Sequence, residues 1–315
     1  MLVVALLASA TMGIAVGAFP LSASDVWGAL FGDGDPTAVA VVHTLRLPRV
    51  VLGALVGAAL GTAGGALQGA LRNPLAEPYL LGVSGGAAVG ASLAFALGAP
   101  FALIPPAAFG GALAAVGLAL LISRAGTRSD PRVLLMAGVV VGAFANAAIM
   151  VVLADLGSNT VRNALWWMMG SVADANWAQV RWLATYAAIT GGLLIAWARQ
   201  VDLLALGEDA AAGLGLDADR AAPRIYIVAS LLAAATVASA GLVGFVGLVV
   251  PHLARALGFR HHRAVFVASA LAGASLVVLA DVLARTVRAP AELPLGAVTA
   301  LIGVPFFLAR IRRLA

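Results

Sequence analysis

The feature that leaves the fewest folds open is a succession of apolar runs, at 1–19, 50–71, 79–98, 101–123, 133–154, 179–198, 224–258, 264–287 and 295–309. A spanning helix needs about 20 mostly apolar residues, so each run predicts a crossing of the bilayer. The run 224–258 is too long for one straight helix, and Gly241, Gly244, Gly247 and Pro251 inside it mark where it breaks. The nine runs therefore predict about ten transmembrane helices. Strand-like alternation is absent, which leaves an all-α polytopic membrane bundle and not a barrel. With 62% of residues hydrophobic and 10% charged, a water-soluble globule is excluded. Residues 1–19 carry no charge ahead of their apolar run and are read as the first span, not as a secretory signal. Residues 1–315 are read as a single transmembrane domain.

What the chain lacks narrows its chemistry. There is no Cys, so neither disulfides nor thiolate ligands contribute. All 19 basic residues are Arg, and a nucleotide-binding P-loop requires a Lys. Any ATP chemistry must then sit on a partner. Motifs of the HExxH and GxSxG kinds are also missing, as is an acidic metal cluster, so no enzymatic role and no bound metal is predicted. The isoelectric point near 10.9 is not a nucleic-acid signature, because the arginines are dispersed over loops between apolar runs.

With ten spans and both termini on the cytoplasmic side of the inner membrane, thirteen of the nineteen arginines fall inside: Arg72, Arg124, Arg128, Arg132, Arg199, Arg220, Arg224, Arg255, Arg260, Arg263, Arg310, Arg312 and Arg313. Six remain outside: Arg46, Arg49, Arg162, Arg181, Arg285 and Arg288. Ion-coupled carriers keep ionisable groups within their spans. Here only Asp281 clearly lies in an apolar run, with Arg285 four residues on as its natural intrahelical partner. Gln68 and Asn146, with scattered Ser and Thr, are too few for a proton relay, so the energy source is expected to be external. Gly53, Gly57, Gly61, Gly65 and Gly69 repeat at a spacing of four, as do Gly82, Gly86 and Gly90, which predicts close helix packing.

Three stretches then carry a specific resemblance. They are Arg46–Ala87, with RLPR and NPLAEP; Leu206–Asp217, LGEDAAAGLGLD; and Gly241–Arg255, ending in PHLAR and continued by Leu279–Phe307. In sequence and order they resemble the iron-siderophore, haem and cobalamin permeases, the FecCD-type or B12-permease-like family of type II ABC importers. The resemblance implies a ten-span homodimer with its path at the two-fold interface. It also implies a cytoplasmic ATPase dimer holding ATP and Mg, and a periplasmic or lipid-anchored substrate-binding protein. The expected cargo is an iron chelate, a ferric siderophore or haem, with cobalamin as the alternative and an ion-coupled carrier as the rival class.

Matched residue by residue, the loop 199–224 is expected to dock on the ATPase through Leu206, Gly207, Glu208, Ala210, Gly213, Leu214 and Gly215. The proline-braced turn Asn73–Pro78 is expected at the inner surface, with Asn73 and Leu75 as the cytoplasmic gate and a plain structural turn as the alternative. Residues 155–178, centred on Trp166 and Trp167, are read as an interfacial segment near the outer mouth. Arg162 there, with Gln68 and Asn146, completes the pathway candidates. Arg46, Arg49, Arg285 and Arg288 are expected to meet acidic residues of the binding protein, with phospholipid headgroups as the alternative.

Overall fold

The computed structural model describes residues 1–17, 19–123 and 131–311, with side chains to 308. Of the arginines assigned to the inside, Arg124, Arg128, Arg312 and Arg313 lie outside the described residues, as does the side chain of Arg310. The described residues form helices and no strand.

Helix α1 (Leu2–Ala15) is followed by two short helices, α2 (Ala23–Leu30) and α3 (Pro36–Ala40). Their starts are written locally. Ser22 and Asp25 form a reciprocal capping box at α2, and Asp35 accepts from Ala38 N ahead of Pro36 at α3. A π-helical turn, Val41–Arg46, then runs into α4 (Leu47–Ala70) without a break, giving a helix of 35 residues from Pro36 to Ala70. After it come α5 (Val83–Ala96), α6 (Ile104–Ser123), α7 (Pro131–Ala154) and α8 (Ser158–Met168). Helix α9 (Trp177–Ala196) bends by 50° into α10 (Ala198–Ala205). The chain closes with α11 (Glu208–Gly213), α12 (Ala218–Ala240), α13 (Val246–Ala256), α14 (His262–Thr286) and α15 (Leu295–Ile311).

Five of these helices are long and apolar enough to cross a membrane alone, or six with the bent α9–α10 pair. Four more, α1, α5, α13 and α15, are apolar but shorter. Together they are the ten apolar elements expected, and the run 224–258 is indeed divided, by a helix break at 241–245. Non-helical backbone at membrane depth is tolerated where protein surrounds it. Residues 71–82 precede the short α5 and residues 241–245 the short α13, and both segments are partly buried.

Helix α4 is the hub, with α14, α12, α13 and α9 packed around it. In its apolar window 78% of residues are buried, against 22% in α7, so α4 lies at the centre and α7 at the periphery. Glycine makes the central position possible. A Cβ on Gly57 would lie 2.0 Å from the carbonyl oxygen of Gly273 on α14, and one on Gly64 would lie 1.9 Å from that of Gly247 on α13. Only backbone fits there. Lipid offers helices no hydrophobic drive to associate, so van der Waals contact at this range takes its place.

Candidate functional site

At the expected outer end, the starts of α4 and α9 meet the ends of α1 and α14. Trp177 Nε1 donates to His43 O at 3.0 Å and fastens α9 to the π-helical turn. Arg49 forms a fork on two carboxylates. Its Nε lies 3.0 Å from both oxygens of Asp281, its Nη2 lies 2.8 Å from Asp281 Oδ1, and Nη1 and Nη2 reach Glu292 at 2.8 and 2.9 Å. The intrahelical pair Asp281–Arg285 exists, but at 3.4 Å it is the weaker partnership. Arg285 Nη2 instead donates to Gly13 O at 2.6 Å. Arg46 donates to Ile14 O at 2.6 Å, to Ala15 O at 2.9 Å and to Phe19 O. Two arginines thus satisfy the carbonyls that α1 leaves open at its C-terminus.

Three of the four arginines expected to meet the binding protein thus make contacts within the chain. Arg46 is 4% exposed and Arg285 6%, because both reach inward to backbone oxygens, and Arg49 is held between Asp281 and Glu292. Arg288 alone of the four is exposed.

The second site lies where the two irregular segments meet. Beyond α4, Arg72 takes a left-handed backbone (φ 51°) and Asn73 Oδ1 accepts from Leu75 N at 2.9 Å, so the turn is locked by an Asx contact. Leu75 is 50% exposed and Asn73 partly so. The chain then turns back into the bundle. Glu77 Oε1 accepts from Phe245 N at 3.0 Å, and Tyr79 Oη accepts from Val243 N at 3.2 Å. Both donors belong to the broken stretch before α13, where Phe245 itself has a left-handed backbone (φ 66°). A helix break leaves N–H groups without carbonyls, and these two side chains supply acceptors. From the other side Gln68 Nε2 lies 3.2 Å from Gly247 O and Leu248 O, and its Oε1 accepts from Arg255 Nη1 at 2.7 Å.

Gln68 is therefore a buried brace at 3% exposure, with both ends of its amide engaged inside the chain, and not a wall of an open path within it. Glu77 and Tyr79 are functional candidates that the sequence did not single out. The available signal was a carboxylate and a phenol flanking Pro78 just before a glycine-rich helix. His252 Nδ1 lies 3.1 Å from Leu248 O, and its ring meets Phe307 edge-on.

At the expected inner end the chain folds back twice. Gly207 (φ 108°) makes the corner between α10 and α11, and Gly215 (φ 85°) ends α11. Leu216 N bonds to Ala211 O and Gly215 N to Ala212 O, each at 2.9 Å, a paired closure that needs a left-handed residue at Gly215. Ala211 faces inward, fully buried, while Leu206 and Leu214 are 64% and 62% exposed. Glu208, Ala210 and Gly213 are exposed as well. Arg72 Nη2 lies 3.7 Å from Glu208 Oε1 and so links the turn of Asn73 and Leu75 to α11.

The segment around Trp166 forms α8 and covers one edge of a cavity of about 480 Å3 lined by Asn163, Trp167, Asp174 and Gln179 among others. Arg162 is exposed on α8 and donates to Asn159 Oδ1 at 2.9 Å. Asn146 is exposed on α7 among Phe144, Met150 and Val151. The structure thus brings the turn of Asn73 and Leu75 and the exposed α11, where the gate and the ATPase contact are expected, together at one end, and leaves the three pathway candidates on separate elements.

The model of the FecCD transport family matches residues 2–313. The chain belongs to the FecCD transport family. It is 39% identical to the hemin transport system permease protein HmuU of Yersinia pestis, over 98% of this chain and 92% of that protein. It is also 39% identical to the cobalamin import system permease protein BtuC of Halobacterium salinarum, over 88% of this chain and 74% of the relative. A solved inward-facing ABC transporter of metal-chelate type superposes with a TM-score of 0.88 at 29% identity, covering 99% of this chain and 97% of the other. Membership of FecCD fits the bundle, since the fold superposes on a solved ABC transporter over nearly the whole length of both chains.

Proposed function

We propose that this chain is the membrane-spanning subunit of an ATP-driven importer that admits a metal chelate, ferric siderophore or haem, through a homodimer. The observation that carries the reading is the α10–α11 corner: a rigidly capped helix, apolar on its exposed tips, joined through Arg72 and Glu208 to the turn of Asn73 and Leu75. A push on α11 reaches the turn through a few ångströms of backbone and one ion pair. The chain catalyses no covalent change; ATP and Mg reside on a separate ATPase dimer, and a periplasmic or lipid-anchored binding protein delivers cargo. The chain sits multi-pass in the inner membrane with both termini in the cytoplasm, in contact with lipid and not with nucleic acid.

A self-sufficient ion-coupled carrier is disfavoured by Asp281, whose carboxylate is held by Arg49 and Arg285 and has no free site for a driving ion. Cobalamin remains the second reading for the cargo, favoured by the identity to a cobalamin permease. Proteoliposomes holding the permease, its ATPase and its binding protein test both. ATP-dependent accumulation of a ferric chelate or haem is expected, and accumulation of cobalamin alone would transfer the assignment. Uptake at full rate without the ATPase would overturn the class.

A further inference from the structure

A second polar cleft lies along the α9–α10 bend, at the end of the molecule that carries α11. It is a cavity of about 460 Å3 lined by Arg199 and Arg263, His261, Asp202 and the last turns of α9 at Gly192 and Ile195. Arg199 and Arg263 come from elements 64 positions apart in the chain, and both are exposed. Neither has a carboxylate within ion-pair distance among the described residues. The one carboxylate lining the cleft, Asp202, is occupied elsewhere. Its Oδ1 accepts from His262 N at 2.9 Å and contacts His262 Nδ1 at 2.7 Å. Two guanidinium groups without a carboxylate partner therefore line one cavity, whose single carboxylate, Asp202, is bonded to His262. The remaining wall is formed by Gly192, Ile195, Ala196 and Ala198 at the end of α9 and the start of α10.

We infer that this cleft binds the headgroup of an anionic phospholipid of the inner leaflet. Guanidinium groups pair with phosphate oxygens in fixed, forked geometry, and basic pockets between spans on the cytoplasmic side suit a lipid phosphate. The apolar wall of Ile195, Ala196 and Ala198 gives the acyl chains a surface, which a free phosphate would not use. The site also has a mechanical meaning. The Asp202–His262 contact already ties α10 to the start of α14. A headgroup held between Arg199 and Arg263 would be a second tie across the same joint, next to the bend that positions α11. The side on which the cleft lies rests on the orientation proposed above.

Native mass spectrometry of the purified permease–ATPase complex, from bilayers of mixed phosphatidylglycerol and phosphatidylcholine, reads the site without any transport assay. The complex is expected to retain phosphatidylglycerol selectively, and R199Q with R263Q to lower that retention about tenfold or more. Arg199→Lys with Arg263→Lys, which keeps the charge, should lower it less, and Arg220→Gln on the same side should leave it unchanged. Equal retention in wild type and the glutamine pair overturns the inference. So does displacement by millimolar inorganic phosphate, which would make this a free-anion site, or loss of ATPase docking with lipid retention intact, which would make it a motor contact. Because retention is measured apart from uptake, its failure is distinguishable from failure of the importer reading.

Discussion

At the expected outer end Arg46, Arg49 and Arg285 make their strong contacts inside the chain, whereas at the other end Leu206, Leu214 and the acidic first turn of α11 face solvent beside a loose 3.7 Å ion pair. Both ends are rich in the residue types that bind partners. What separates them is whether those groups already have partners. A guanidinium buried against carbonyls and carboxylates is part of the fold, and its removal is felt as instability. An exposed leucine on a capped helix has nothing to lose until a second protein covers it, so its removal is felt in coupling. Stability and function should therefore divide between the two ends.

The largest effect is expected from Arg49→Ala. It would leave Asp281 at 3% exposure without its main counter-charge, and breaking a buried pair from one side costs about 3–5 kcal/mol. Thermal unfolding in detergent should show the loss directly. Removing both charges, with Arg49→Met and Asp281→Leu, should recover only part of it, because Asp281 is no longer stranded but buried Arg285 then loses its one carboxylate and keeps Gly13 O. An R49A protein that melts at the wild-type temperature would erase the distinction between the two ends.

Next in size is Glu77→Leu, which removes the acceptor of Phe245 N at the helix break. An unsatisfied buried donor costs about 1–3 kcal/mol, while Glu77→Gln keeps an oxygen in reach and should cost less. Hydrogen exchange at residues 243–247 is the readout. Faster exchange in the leucine variant than in the glutamine variant is expected, and equal rates would mean that the break is held by Gln68 and packing alone.

The class and the number of apolar elements were readable because the bilayer sets a length that shows directly in hydropathy. The division at 241–245 was readable from Gly241 and Gly244, and the α11 corner from Gly207, Gly213 and Gly215. The partners of the arginines were not. Arg49 and Asp281 are 232 positions apart, and only the packing of α4 on α14 brings them together. The same holds for Gln68, whose amide looks like a polar path residue in sequence and turns out to hold the carbonyls of Gly247 and Leu248. Glu77 was passed over because a carboxylate beside prolines reads as a surface turn, and nothing local shows that the chain re-enters the bundle there.

At the inner end, Leu214→Asp tests the opposite half of the comparison. With the side chain 62% exposed, unfolding should stay within about 0.5 kcal/mol of wild type. If the ATPase covers this position as an apolar contact, the loss should be at least about 1.4 kcal/mol of docking, or roughly tenfold in affinity. ATPase stimulation by the binding protein should fall in step. A variant that unfolds early but still couples would place Leu214 with the fold and not with the interface.

The smallest effect is expected at Arg288, the one of the four docking candidates left exposed. Its three neighbours are engaged within the chain, so a binding protein with acidic lobes would meet Arg288 as a rim charge, and rim charges act mainly on association rate. Arg288→Glu should slow docking by a few-fold at low ionic strength, and the difference should vanish as salt shortens the screening length to about 8 Å near physiological strength. Surface plasmon resonance of the binding protein on permease nanodiscs, run across a salt series, measures this. Arg46→Glu makes the contrast sharp: with its guanidinium on the carbonyls of Ile14, Ala15 and Phe19, it should lower the melting temperature at every salt concentration. If R46E instead leaves melting unchanged and abolishes docking only at low salt, Arg46 belongs to the rim after all, and α1 is held in place by other contacts.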